Sequence, residues 1–380
     1  MKHIFYHLAY ILPVLCLYDT AGAQINTSPY EFTEIFRIGD EARGDTILFM
    51  DHLYTDMAVN SINHLFIGGY RQSPVISFSD EGHFVGFVGA EGVGPGEFKG
   101  SRSVIVGPED SVYVYDSSLR RLLVFKPGTL RYAYSMNIDD PPESSPFNLL
   151  GVTENGYLFK YRSPYRPPGD LLGGHDPDES RFDAVNLVDK QGAIAETSIA
   201  RLPAKESVVR TYSNREGSGI SVMSLPFGRA SFFILNNSLL YSGWNDAIDI
   251  TITSENGEVV RTIEIAHEPL PVTRREVEII ASSYSRENRR AILKSKLLPK
   301  TKPAYDALVV DDQGHIWIRE YPAPESKFAK WLIADTNGRL VGEMELPTNL
   351  ILKVIRAGRA YGSIQSDTSG PYIAVYAITK

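Results

Sequence analysis

From residue 56 onward the chain alternates short apolar runs with polar turns, and no helical period is sustained until the 270s. Met57-Ala58-Val59, a turn at Asn63 and Leu65-Phe66-Ile67 read as one hairpin. Val75 to Phe78, a turn at Asp80-Glu81-Gly82 and Phe84 to Phe87 read as the next. The turns carry the residues that tolerate a left-handed backbone, which tight hairpins require.

This four-strand unit recurs, with the second turns of the first two units, at Gly82 and Gly128, 46 residues apart. The second copy runs Val104 to Val106, Val112 to Val114, Leu122 to Phe125 and Tyr132 to Met136. A third is predicted at Leu150 to Val152, Tyr157 to Phe159, Val185 to Val188 and a short strand at Ile194. A fourth falls at Phe232 to Leu235, Leu239 to Tyr241, Ile248 to Ile252 and Val259-Val260. The fifth has Leu308 to Val310, Ile316 to Ile318, Trp331 to Ile333 and Leu340-Val341. A sixth unit in the tail (Leu352 to Ile355, Tyr361 to Ile364, Tyr372 to Ile378) lacks one strand, and Glu31 to Ile38 is a strand without a unit. Pairing the two closes a ring and hides both edges. The pattern therefore predicts an all-β, single six-bladed β-propeller of four-stranded antiparallel blades, with one helical insertion near 273–298.

The stretch Gly89 to Gly128 resembles an NHL-type repeat of the six-bladed, TolB-like propeller superfamily. The matching residues are Gly89, Gly92, Gly94-Pro95-Gly96-Glu97-Phe98, Val104-Ile105-Val106, Asp110, Val112-Tyr113-Val114, Asp116, Arg120-Arg121, Val124-Phe125 and Gly128. Where such repeats carry a proline, this chain has Gly100-Ser101-Arg102-Ser103. The order of parts also resembles six-bladed propellers common among secreted proteins of Bacteroidetes-like bacteria. The resemblance implies a fold; propellers host enzymes, receptors and scaffolds alike.

Strand alternation divides the loops between two ends of the ring. The turns joining first to second and third to fourth strands are tight. The long insertions, Gly89–Ser103, Arg162–Phe182, Pro203–Gly228, Ala266–Pro303 and Arg319–Lys327, all fall at the other end. Long loops on one rim of a rigid scaffold are where binding usually resides. First strands start at that rim with Asp56, Arg102, Asn148, Arg229 and Asp306, and second strands end there with Asp116, Tyr161 and Arg319. Asp56, Arg102, Asn148, Arg229, Asp306 and Arg319 are thus the candidate ligand-binding set at the channel mouth. The same residues could instead form a structural ring of salt bridges. Their chemistry suits a polar or anionic small molecule, a glycan or a peptide, or a protein partner, with Tyr161, Tyr165, Tyr212 and Phe227 placed to stack.

Composition narrows the choices. The 380 residues carry a net charge of −8, which disfavours nucleic acid as a partner, and 21 Tyr with 17 Phe suit pleated, half-buried surfaces. Lys2, an apolar stretch from Ile4 to Leu17 and Ala21-Gly22-Ala23 read as a signal peptide over residues 1–23, cleaved after Ala23. The mature domain would be 24–380, secreted or periplasmic, without a later membrane span. Lipidation of Cys16 is the alternative, disfavoured by the bulky Leu15; cleavage after Ala23 removes this one cysteine.

No motif names a reaction. Gly92-Val93-Gly94-Pro95-Gly96 lacks the Lys-Ser/Thr of a phosphate cradle and reads as a turn between blades. No Gly-x-Ser-x-Gly elbow or His-Glu-x-x-His occurs. His175-Asp176-Pro177-Asp178-Glu179 is a solvated loop or a cation site, and a divalent metal, if bound at the mouth, would find oxygen donors in Asp56, Asn148 and Asp306. Thr273 with Glu276 forms a capping box for a helix whose cations exceed its acids by four over 273–298. The expected function is recognition at the long-loop face without catalysis. A metal-dependent hydrolase or lyase of the lactonase or amidating-lyase type is the alternative.

Overall fold

The computed structural model describes residues 30–40, 56–68, 74–139, 145–163, 181–195, 197–214, 217–366 and 370–380. Five four-stranded antiparallel sheets follow one another along the chain. Blade 1 comprises Asp56–Val59, Leu65–Gly68, Val75–Phe78 and Phe84–Val88, and blade 2 Ser101–Val106, Val112–Asp116, Arg121–Phe125 and Tyr132–Asn137. Blade 3 is built from Ser145–Val152, Tyr157–Arg162, Phe182–Val188 and Ala200–Pro203. Blade 4 has Ser231–Asn236, Leu239–Trp244, Ile248–Ser254 and Val259–Ile265; blade 5 has Tyr305–Val310, Ile316–Glu320, Phe328–Ala334 and Leu340–Pro347. Blade 6 takes Leu350–Arg356, Arg359–Ile364 and Tyr372–Thr379 from the tail, and Glu31–Ile38 as its outer strand. That strand runs antiparallel to the last one, from Glu31 opposite Thr379 to Ile38 opposite Ile373. The chain is a six-bladed β-propeller closed by its N-terminal strand.

Six of the apolar clusters lie between successive blades, and the last joins blade 6 to blade 1 through Tyr361, Ile373 and Val375 against Met57, Leu65 and Phe78. Each blade therefore packs both faces. This explains why middle strands such as Leu122-Leu123-Val124-Phe125 are apolar without alternation and fully buried. Turns are held by side chains that mimic the backbone. The Oδ1 atoms of Asn60, Asp189, Asp311 and Asp335 each accept two amide N–H groups, from the residues two and four positions on.

Three details differ from the sequence reading. Ile194 makes only an isolated bridge to Val188, and the outer strand of blade 3 is Ala200–Pro203. The Asn186 side chain accounts for the delay: it donates to the Ala195 carbonyl and accepts from Ser198 Oγ, holding the chain out of register until residue 200. The Pro203–Gly228 insertion contains a hairpin, Ser207–Asn214 with Gly217–Ser224. The predicted helix is two, α1 (Arg274–Ala281) and α2 (Arg286–Lys294), because Ser285 Oγ accepts from Asn288 N and restarts the helix. The capping box is present: Thr273 N donates to Glu276 Oε2 at 2.9 Å and Glu276 N to Thr273 Oγ1 at 3.3 Å. Val208, Met223 and Leu225 of the hairpin segment pack on Ala281 and Ile292, so two long insertions share one small core.

Candidate functional site

The first strands of all six blades line a central channel of about 710 Å³. Most residues of its wall are apolar, Met57, Ile105, Leu149, Phe232, Leu308 and Val354 among them, while Asn236, Asn237, Ser238, Asp312 and Arg356 make the tight-turn end polar. At the long-loop end Asp56, Asn148 and Lys353 interrupt that wall. Asp56 and Asn148 were anticipated from strand alternation; Lys353 was not.

Lys353 is brought there by a β-bulge. Leu352 faces Gly362 and Val354 faces Tyr361 on the neighbouring strand, so Lys353 is the extra residue. A bulge re-aims a side chain that simple alternation would place elsewhere. Comparable slips occur near the start of the first strand in blade 2 between Ser101 and Ser103, in blade 3 between Pro146 and Asn148, and in blade 5 between Tyr305 and Ala307. They fall at Arg102, Phe147 and Asp306. Only a repeated positional offset in the loosely matching repeats could have signalled them.

Asp56 Oδ2 accepts the Val104 N–H of blade 2 at 3.1 Å. Burial pushes its carboxyl up to about 6, against that hydrogen bond and the charge of Lys353 across the blade 6–blade 1 seam. Burial likewise lowers the Lys353 ammonium below its usual range, with Asp56 pulling the other way. Lys353 reaches channel water, yet protein surrounds it enough to disfavour its charge. Among the described residues its ammonium makes no ion pair or hydrogen bond.

The remaining predicted residues are engaged elsewhere. Arg319 grips Asp306 with two hydrogen bonds, Nε to Oδ1 at 2.6 Å and Nη2 to Oδ2 at 2.9 Å, and reaches the Leu350 carbonyl of blade 6. Neither lines the channel. Arg229 donates through Nε to Asp246 Oδ1 at 2.8 Å and through both Nη atoms to Thr301, clamping the returning insertion to blade 4. Arg102 lies in the strand Ser101–Val106, its side chain outside the described residues. Asp116 accepts the N–H groups of Lys99, Ser118 and Leu119, a turn support. Tyr161 and Phe227 are core residues, buried to 0% and 1% exposure, and cannot stack on a ligand; Tyr212 is exposed. Tyr165 and the His175–Glu179 segment lie outside the described residues.

The glycine-rich loop is closed by its own carboxylate: Glu97 Oε2 accepts Gly94 N at 2.9 Å, and a Cβ at Gly92 would sit 2.1 Å from the same oxygen. Arg121 then pins the loop by donating to the carbonyls of Val93, Gly94 and Glu97. Of the expected metal donors, Asp306 is turned to Arg319, and among the described residues no three His, Cys, Asp or Glu side chains gather to hold an ion. The sequence reading also missed a charged seam between blades 3 and 4. There Asp183 binds Lys160 Nζ at 2.8 Å, Arg162 Nε at 2.8 Å and Ser231 Oγ at 3.1 Å.

The tight-turn end is laced together between blades. Ser61 N donates to Asp110 Oδ1, Asn155 Nδ2 to Glu255 Oε1, Asn236 Nδ2 to the Asp311 carbonyl and Ala357 N to Asp312 Oδ2. Such ties join neighbouring blades around this end of the ring.

Residues 59–170 match a family model, DUF5128, described as a 6-bladed beta-propeller. The whole architecture is shared with solved structures at low identity. A candidate exported protein of Bacteroides fragilis superposes with a TM-score of 0.53 and 12% identity, over 94% of this chain and 97% of that one. A DUF4221-family member of Bacteroides vulgatus superposes with a TM-score of 0.50 and 10% identity, over 93% and 99%. A gluconolactonase of Xanthomonas campestris reaches only 0.41 with 14% identity, over 85% of each chain, too distant to speak to chemistry. No curated protein matches the sequence. At these identities the likeness is one of fold. Among the described residues no helix is long and apolar enough to cross a membrane.

Proposed function

We propose that this propeller, of the NHL type within the TolB-like superfamily, is exported after cleavage at Ala23. It binds a small hydroxylated anion at the long-loop mouth of its channel, without transforming it. The observation that carries the reading is that Asp56 and Lys353, opposite charges that feel one another across the seam, both line the channel at its long-loop end, each held there at an electrostatic cost. A ligand anion offsets the desolvation of Lys353, a ligand hydroxyl donates to Asp56, and the Asn148 amide supplies both a donor and an acceptor. A few polar side chains converging among mostly apolar residues in a cavity of this size is the usual design of a small-molecule site.

The test is calorimetric titration of the mature chain with sugar acids, hydroxycarboxylates and sugar phosphates. Lys353→Met should weaken the ligand about 10- to 100-fold, the cost of losing a charged hydrogen bond. Binding indifferent to Lys353→Met would overturn the assignment, and turnover of the bound compound would replace recognition by catalysis. Export is checked by mass spectrometry of the protein from its own host, which should begin at Gln24.

A further inference from the structure

We propose a second binding site on the opposite, tight-turn end: a tyrosine-walled pocket at the seam of blades 2 and 3 that takes an uncharged saccharide unit. The pocket encloses about 560 Å³ and is lined by Tyr113, Tyr134, Tyr157, Glu154 and Lys190, with Pro108 and Thr153 at its margin. The Tyr113 and Tyr157 rings meet at 5.9 Å with a 55° tilt, and the Tyr134 and Tyr157 hydroxyls are 3.2 Å apart. Tyr134, 44% exposed, is the outer wall.

Local geometry builds this pocket deliberately close to the neighbouring turn. Gly156 has φ of 153°, and a Cβ there would lie 2.1 Å from the Val188 carbonyl oxygen. Only glycine lets the Thr153–Tyr157 turn press against the turn that carries Lys190. Tyr113 and Tyr157 are otherwise core residues of the blade 2–blade 3 cluster. They line the volume with only 9% and 4% of their surface exposed, whereas Tyr134, an exposed acid and an exposed base stand open to it.

The lining selects the ligand's chemistry. The exposed Tyr134 ring suits the C–H surface of a pyranose, and phenol hydroxyls both donate and accept toward its hydroxyls. Burial raises Tyr113 and Tyr157 above the ordinary phenol range, so both keep their donor proton at neutral pH. Glu154 and Lys190 make no ion pair or side-chain hydrogen bond among the described residues. Glu154 opposes an anion and Lys190 opposes an organic cation, whereas a neutral polyol engages both. The pocket shares Pro108 and Val152 with the channel lining, but none of Asp56, Asn148 and Lys353 at the channel mouth.

The experiment is saturation-transfer NMR and calorimetry on the mature chain with an array of neutral mono- to tetrasaccharides, with choline and acetate as charged comparators. A saccharide should bind, and Tyr134→Ala and Glu154→Gln should each weaken it about tenfold without lowering the melting temperature. Lys353→Met should leave it unchanged, which separates this site from the channel. Failure of the whole array to bind, preference for choline or acetate, indifference to Tyr134→Ala, or loss on Lys353→Met would each overturn the proposal.

Discussion

Asp56 and Ser103 hold the same place on successive first strands: each side-chain oxygen accepts a backbone N–H from the next blade, Val104 N on Asp56 Oδ2 and Leu149 N on Ser103 Oγ, both at 3.1 Å. A neutral hydroxyl suffices for this tie in blade 2. The negative charge that blade 1 places there is therefore surplus to the architecture, and it faces Lys353.

That surplus charge should be visible as pH dependence. Burial pushes the Asp56 carboxyl up to about 6 in the folded state, from the ordinary aspartate value of 3.8. Between those values the folded state holds the proton more tightly, so stability falls as pH rises from about 4 to 6, by at most about 3 kcal/mol. Asp56→Asn keeps a side-chain acceptor for Val104 N and removes the titration. Urea unfolding at pH 4 and pH 7 should show the variant losing less stability over that interval than the wild type. Equal losses would mean that the Asp56 carboxyl is not raised.

The Arg319–Asp306 pair is architectural, and breaking it from one side should be costly. Burial already raises the Asp306 carboxyl despite Arg319, and Arg319→Ala strands it without its partner. The expected destabilisation is about 3 kcal/mol. Adding Asp306→Asn should recover much of it in a double-mutant cycle, since no unpaired charge is then left. Additive losses would show that the pair is not coupled.

Removal of residues 24–38 should open the ring. Tyr30 and Phe32 pack on Trp317 at 5.3 Å and 5.9 Å, and the strand they introduce completes blade 6. The truncated chain exposes the strand Tyr372–Thr379 as an edge, which invites aggregation. Light scattering and thermal unfolding report the outcome; unchanged cooperative unfolding would contradict closure.

Arg229→Ala should loosen the insertion without touching the channel. Its contacts to Thr301 and Asp246 hold the segment returning from α2 onto blade 4, alongside the Lys302–Glu276 ion pair at 2.6 Å. Hydrogen exchange should rise in α1, α2 and residues 299–303, while ligand binding at the mouth stays within about twofold. Loss of channel binding in this variant would return Arg229 to the site.

Much of this molecule is readable along the chain because hairpins are local. Asn63, Gly82, Gly128, Gly257, Gly314 and Gly338 all adopt the positive φ that their turns require, and the intervening apolar runs are the strands. Closure by Glu31–Ile38 followed from counting strands, since an unpaired edge at each end of the array is untenable. Misreadings arose where a side chain overrode the pattern. Asn186 postpones the outer strand of blade 3, Ser285 divides the helix, and Ser207–Ser224 forms a hairpin inside a long insertion.

The candidate site was legible only by position. Asp56 reaches the channel from the first position of its strand, whereas Asn148 reaches it from within Ser145–Val152, just past the bulge at Phe147. Arg229, just before a first strand, and Arg319, near the end of a second strand, stand at the same rim, but their long side chains find Asp246, Thr301 and Asp306 instead. Composition and spacing cannot tell which carboxylate a guanidinium will reach.

What the sequence by itself determined is the number of blades, their strand order and the end of the ring that carries the long insertions, since these rest on turn chemistry and short apolar runs between near neighbours. Only the tertiary structure decided the chemistry of the channel. Lys353 enters it through a one-residue slip in strand register, and Asp56 meets it from the far end of the chain across the closing seam. Both the slip and the meeting are set by packing between blades, where residues some three hundred positions apart share one low-dielectric space.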